Sequence, residues 1–262
     1  MDFKDKIVLV SGGTKGIGRS ISLEFLKHGA KVLAIYSSDE EAKDELLQIV
    51  PRNFRENLFF FKGSIADIEF LKTMFETIKS KFGRLDILVN NAGINRDSLF
   101  FDMTQKDWEE VININVKGTF LMSLFAGECL KKTGLKNLKI FQNFTNHEKS
   151  QIVNISSVSG VYGNVGQANY AASKGAVAGM TQVFARKYFD WNINVNCVIP
   201  GLIETDMMLD MPKEKVEQMA SILTMKRLGK PGEVAKAVMF LCSENASYMT
   251  GSSLFVDGGF LK

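Results

Sequence analysis

At 262 residues the chain is long enough to bury a full hydrophobic core as a single α/β domain. Its formal net charge of +3, with acidic and basic residues interspersed along most helical stretches, excludes a dedicated nucleic-acid binder, which would gather its basic residues on one face. Cys129, Cys197 and Cys242 are widely spaced among apolar neighbours and read as reduced core cysteines of a cytoplasmic protein. No apolar run approaches membrane-spanning length, and a first strand within a few residues of Met1 leaves no expected signal or transit peptide.

In chain order, the first strand is the wholly apolar run Ile7–Val10, which suits a parallel sheet covered on both faces. It ends in Ser11-Gly12-Gly13-Thr14-Lys15-Gly16-Ile17-Gly18, and Arg19 to Lys27 then reads as a helix stopped by Gly29. A glycine turn into a helix N-terminus leaves backbone N–H groups for an anion, and the expected ligand is a pyrophosphate. The spacing Gly-x-x-x-Gly-x-Gly differs from the common dinucleotide fingerprint, and no Lys-Ser/Thr pair follows at P-loop spacing, which argues against a nucleotide triphosphatase. A second strand, Lys31–Tyr36, is followed by Ser37-Ser38 with no acid until Asp39. An acid at that strand end would bind a ribose 2′-hydroxyl and repel a 2′-phosphate, so Lys15 and Ser37 predict NADPH/NADP as the coenzyme.

Further strands are expected at Leu58–Lys62, Ile87–Asn90, Gln151–Ser156, Asn194–Val198 and Leu254–Val256, with amphipathic stretches between them. Seven strands alternating with helices predict a doubly wound, Rossmann-like parallel sheet in one domain. Ligands bind such sheets beyond the carboxyl ends of the strands, and the glycine loop, Asn91, Ser157 and Pro200-Gly201 all fall just after strands. One stretch breaks the pattern: residues 133–150, before the fifth strand, read as an insertion on the opposite rim, either a tolerated surface loop or a contact site.

The chemistry is concentrated in Ser157, thirteen residues before Tyr170, and Lys174, four after it. On a helix the i, i+4 spacing puts phenol and ammonium on one face. Together with a hydroxyl they can polarise a carbonyl and hand it a proton, which is the chemistry of an alcohol/ketone oxidoreductase. Ser156 points away from Ser157 if the strand continues to that point. His28 ends a helix, His147 lies in the insertion, and neither follows a strand; no His/Cys/Asp/Glu cluster has metal-ligand spacing, so no metal is expected.

The glycine loop, Asn90-Asn91-Ala92-Gly93, Asn115, the Ser157/Tyr170/Lys174 set, Pro200-Gly201-Leu202-Ile203-Glu204-Thr205 and Val256-Asp257-Gly258-Gly259 occur in the order found in the short-chain dehydrogenase/reductase family, which the chain resembles from about Asp5 to Gly259. That resemblance implies Tyr170 as general acid with its pKa brought down toward neutrality, Lys174 on the nicotinamide ribose, Ser157 as donor to the substrate oxygen, and Asn115 holding a water for reprotonation. It implies cofactor contacts at Gly12, Gly13, Thr14, Lys15, Gly16, Ile17, Gly18, Ser37, Ser64, Ile65, Asn91, Ala92, Gly93, Pro200, Gly201, Ile203 and Thr205, and a homotetramer. Ser64 stands where relatives often have Asp or Asn near the adenine.

Asn91 to Asp97, Trp108, Gly166-Gln167-Ala168-Asn169-Tyr170 and Arg227-Leu228-Gly229 are similar to the 3-oxoacyl-carrier-protein reductases. This implies reduction of a 3-oxoacyl thioester on acyl carrier protein or coenzyme A. The positions where such enzymes carry carrier-docking arginines hold Thr133 and Trp191 here, and Lys131, Lys132, Lys136 and Lys139 are the candidate replacements. Two other readings stay open: a reductase of another secondary alcohol such as a sugar, polyol or polyketide, and a dinucleotide-binding sensor without turnover. Residues 204–230, rich in methionine, read as a substrate lid or as the apolar face of a helix.

Overall fold

The computed structural model describes residues 1–134, 149–205 and 212–260, with only the backbone for 131–134. Its strands are β1 (Ile7–Ser11), β2 (Lys31–Tyr36), β3 (Leu58–Lys62), β4 (Ile87–Asn90), β5 (Ser150–Ile155), β6 (Ile193–Pro200) and β7 (Ser253–Val256). All pair in parallel in one sheet of order β3-β2-β1-β4-β5-β6-β7. The helices are α1 (Gly16–Lys27), α2 (Glu40–Ile49), α3 (Ile68–Phe82), α4 (Gln105–Val111), α5 (Thr119–Gly134), α6 (Ser159–Tyr162), α7 (Ala168–Tyr188), α8 (Lys213–Ser221) and α9 (Pro231–Cys242), with a π-helical turn at Ile112–Gly118 joining α4 to α5.

The expected doubly wound sheet is therefore present, and its alternation explains why β1 has no polar face. Val8 and Val10 enter one core with Phe25 of α1 and Val234 and Val238 of α9, whereas Ile7 and Leu9 enter the other with Leu71 and Ile78 of α3 and Met122 of α5. Burying each such side chain stabilises the fold by about 1.5–3 kcal/mol. The three cysteines are buried. Among the described residues no helix is long and apolar enough to cross a membrane.

Element limits differ from the sequence expectation at the strand ends that carry the site. Helix α1 begins at Gly16 rather than Arg19, because the glycine turn is already helical there. Strand β6 extends to Pro200, in register with Val256. A proline can end a strand because it lacks only the donor, and its carbonyl accepts from Val158 N at 3.0 Å. Residues 135–148 of the expected insertion, with Lys136, Lys139 and His147, and Met207, Met208 and Met211 of the methionine-rich stretch lie outside the described residues.

Candidate active site

Strand order reverses between β1 and β4, so the loops after these two strands diverge and leave a crevice at the carboxyl rim. The crevice floor is held by Ser11, whose hydroxyl accepts from the backbone N–H of Asn91 and of Ala92, both at 3.0 Å. The Asn91 amide donates back to the carbonyls of Ser11 and Gly12 at 3.0 and 3.1 Å. Asn91 thus fixes the loop, and Ser11 is a hub that the glycine pattern alone does not single out. Gly18 must lack a side chain, because a Cβ there would overlap the Gly12 carbonyl. Ser22 donates to Gly13 O at 2.9 Å and Arg19 to Thr14 O at 2.7 Å, which holds the turn from the helix side. Ile17 packs on the core.

Lys15 is the N-cap residue of α1 and makes no capping hydrogen bond, which leaves the N–H groups of the first turn for an anion. A narrow backbone cradle opening on a helix N-terminus fits the pyrophosphate of a dinucleotide, and Gly16 faces Thr205 across it, where a Cβ would lie 3.7 Å from Thr205 Cγ2. Lys15 Nζ meets Asp39 Oδ2 at 3.2 Å, an exposed pair. Asp39 also caps α2 by accepting from Ala42 N at 3.0 Å, and this backbone bond with the Lys15 contact holds its carboxyl below the usual range. The cap could have been read from Ser38-Asp39-Glu40-Glu41, an N-terminal helix signature. Ser37 is exposed beside it.

Ser64 follows β3 and turns the chain, its hydroxyl accepting from Ala66 N at 3.2 Å, while Ile65 is buried in the core against Gly118. On the far side of the crevice Gly201 N donates to Val256 O at 3.0 Å, and Ile203, 6% exposed, bridges to Gly229.

The reacting groups gather after β5. Ser156 is buried with its hydroxyl on Lys174 O at 2.7 Å, so Ser157 is the serine that faces the crevice, where its hydroxyl acts on the Tyr170 phenol to favour the ionised form. Lys174 is 4% exposed, and its ammonium donates to Ile155 O at 2.9 Å, 5.6 Å from the Tyr170 ring centre. Gly93 permits this packing, since a Cβ there would stand 3.2 Å from Asn115 Oδ1 and 3.3 Å from Lys174 Nζ. Asn115 sits in the π-helical turn, a form often found at functional sites. Its side chain accepts from Ile94 N at 2.8 Å and donates to Ile94 O and Ser173 Oγ, both at 2.9 Å, which binds the loop after β4 to α7.

Burial lowers the Lys174 ammonium to about 8. Burial lifts the Tyr170 phenol above its ordinary value, against the effect of the Ser157 hydroxyl, with the Asp97 carboxylate adding to the rise. The lowering that the resemblance implies draws on Lys174 and on the positive nicotinamide of the oxidised coenzyme together. A raised phenol keeps its proton at neutral pH, as a proton donor must.

Known proteins match the chain along its whole length. The 3-oxoacyl-[acyl-carrier-protein] reductase FabG of Thermotoga maritima is 37% identical over 263 residues, covering 100% of both chains. The chain belongs to the short-chain dehydrogenase/reductase family. It is therefore an oxidoreductase, from a family whose members use a nicotinamide dinucleotide. FabG of Aquifex aeolicus is 39% identical over 254 residues, 97% of this chain and 96% of that protein. Residues 12–261 match the family described as Enoyl-(Acyl carrier protein) reductase. Among solved structures, the short-chain dehydrogenase/reductase titled glucose/ribitol dehydrogenase from Brucella melitensis has a TM-score of 0.87 and 30% identity, covering 100% of both chains.

Proposed function

We propose that the protein reduces a 3-oxoacyl thioester, carried on acyl carrier protein or coenzyme A, to the 3-hydroxyacyl product with NADPH, in fatty-acid or related acyl-chain biosynthesis in the cytoplasm. The observation that carries this reading is the gathering of Ser157, Tyr170 and a buried Lys174 at one place, in a chain that matches FabG reductases end to end. The Brucella relative's title keeps sugars and polyols as the second reading. A sensor without turnover fits less well, because all four of Asn115, Ser157, Tyr170 and Lys174 are present and assembled.

The bound nicotinamide would supply a hydride. The residues that would hold the coenzyme are Gly12 to Gly18, Asn91 to Gly93, Pro200, Gly201, Ile203 and Thr205, with Ser64 and Ile65 toward the adenine. Tyr170 gives its proton to the carbonyl oxygen as that oxygen becomes an alkoxide, and Ser157 donates a hydrogen bond to the same oxygen. Lys174, anchored by Ile155 O, keeps a positive charge beside the phenol as it loses its proton. Asn115 orders the turn through which water reaches Lys174.

NADPH is favoured over NADH because Lys15 needs only to exchange the exposed Asp39 carboxylate for a 2′-phosphate, a doubly charged partner. We also infer a homotetramer, supported by apolar side chains left exposed on α5 (Phe120, Leu124), α7 (Val183) and β7 (Phe255). Light scattering checks it, and a stable monomer contradicts it. Consumption of NADPH with acetoacetyl-coenzyme A tests the catalytic reading. Turnover faster than with a panel of sugar and polyol ketones is expected; consumption with those ketones alone would overturn the substrate class.

A further inference from the structure

Gln167 precedes α7 and lies three residues before Tyr170, yet it makes no cap for that helix. Its side-chain amide is fully used in another way. The NH2 group donates to both carboxylate oxygens of Asp97, at 3.2 and 3.0 Å, and the carbonyl accepts from Ser159 Oγ at 3.1 Å and Asn164 Nδ2 at 3.0 Å. Three segments meet on this one residue: the loop after β4, helix α6 and the turn between α6 and α7. The same loop and turn are joined again where Ser98 N donates to Gly166 O at 2.9 Å.

The donor direction through this chain has a single solution. An ionised carboxylate can only accept, so Asp97 fixes which end of the Gln167 amide faces it. The amide oxygen is then turned to Ser159, whose hydroxyl must donate. Ser159 meanwhile gives its backbone N–H to Ser157 Oγ at 3.2 Å. That bond ties the Ser157 oxygen to the same turn that Gln167 holds through the Ser159 hydroxyl.

We propose that Asp97, acting through Gln167, is a positioning residue that sets the turn carrying Ser157 and thereby places the Ser157 hydroxyl within reach of the reacting oxygen. The inference rests on the reductase reading above and adds to it two residues outside the Ser157, Tyr170 and Lys174 set. It also gives Asp97 an electrostatic effect on the site. Among the described residues, the groups that act on the Tyr170 phenol are the Ser157 hydroxyl from the turn after β5 and the Asp97 carboxylate from the loop after β4, while Lys174 of its own helix holds its ammonium 5.6 Å from the ring centre, with Cys197 of β6 beside it. Of these, Asp97 is the one that adds to the rise in the phenol, and its removal makes Tyr170 ionise at lower pH.

A double-mutant cycle on the full-length protein decides the matter. Asp97→Ala and Gln167→Leu should each lower kcat for acetoacetyl-coenzyme A by about tenfold, the loss of one directed hydrogen bond, with the Kd for NADPH unchanged. The double variant should be no slower than the slower single one, and Asp97→Glu should recover most of the loss. Additive losses, or a rise in KM with kcat intact, would overturn the proposal. A second readout needs no turnover: tyrosinate absorbance, taken against Tyr170→Phe, should show Tyr170 ionising at lower pH in Asp97→Ala, and an unmoved titration overturns the coupling. A parent protein inactive on every thioester would instead defeat the reductase reading, and the titration would still judge the Asp97 link.

Discussion

After β1 the chain turns on its backbone, and after β5 it turns on its side chains. In the first turn the working surface is the row of N–H groups from Gly12 to Gly18, and what matters is that side chains are missing; Gly18 packs on the Gly12 carbonyl with no space for a methyl group. In the second, hydroxyl, phenol and ammonium must each reach one place, and the fold provides it with Ser156, Asn115 and Ser173 bonded behind them. The first region should break structurally when an atom is added. The second should keep its structure when an atom is removed and lose only its chemistry.

Gly18→Ala is the largest expected effect. The overlap with the Gly12 carbonyl forces the first turn of α1 away from β4, and circular dichroism melting with NADPH titration should show a destabilised protein that no longer binds coenzyme. A variant that melts and binds like the parent would erase the contrast between the two turns. Ser157→Ala, by comparison, should melt normally and bind NADPH normally, with kcat lower by about 10²–10³ as for other single donors to a developing oxyanion.

The pH profile isolates the ammonium of the second turn. With Lys174 at about 8, its charge is complete below that value and lost above it, so reductase kcat should fall as pH rises through about 8. The unfolded chain holds the same proton up to the ordinary value of 10.5, so between about 8 and 10.5 this group makes the folded state gain stability as pH rises. Stopped-flow rates across this range check the first statement; a rate flat to pH 10 contradicts it.

Coenzyme choice tests the first turn more gently. Replacing Lys15 by Ala and Ser37 by Asp should reverse the ratio of kcat/KM for NADPH and NADH, since a cation is lost and an acceptor for a 2′-hydroxyl is supplied. The smallest effect is expected from cutting residues 135–148 to a short turn, which should leave turnover on coenzyme A thioesters within about twofold because loop closure entropy varies slowly with length.

Much of this was legible in sequence because the site sits at strand ends. The apolar run Ile7–Val10 and the glycines after it announce a parallel strand and an anion cradle, and Tyr170 with Lys174 announce a helix face. The choice of Ser157 over Ser156 rests on the family spacing together with the alternation of side chains, and in the structure Ser156 is buried with its hydroxyl on Lys174 O. What stayed hidden depends on pairs distant in sequence. The Asp39 partner of Lys15, the Ser11 link to Asn91 and the Asp97–Gln167 contact across 70 positions have no local pattern. The direction of the Tyr170 shift was also hidden, since it depends on how deeply the fold buries the phenol.

The most direct measurement is the steady-state oxidation of NADPH with acetoacetyl-coenzyme A by the parent and by Tyr170→Phe, each with its Kd for NADPH. The phenol hydroxyl is the one group whose removal takes away the transferred proton and leaves the coenzyme cradle intact. Loss of turnover by several orders of magnitude at unchanged Kd is the predicted result. Near-normal turnover by Tyr170→Phe would contradict the account.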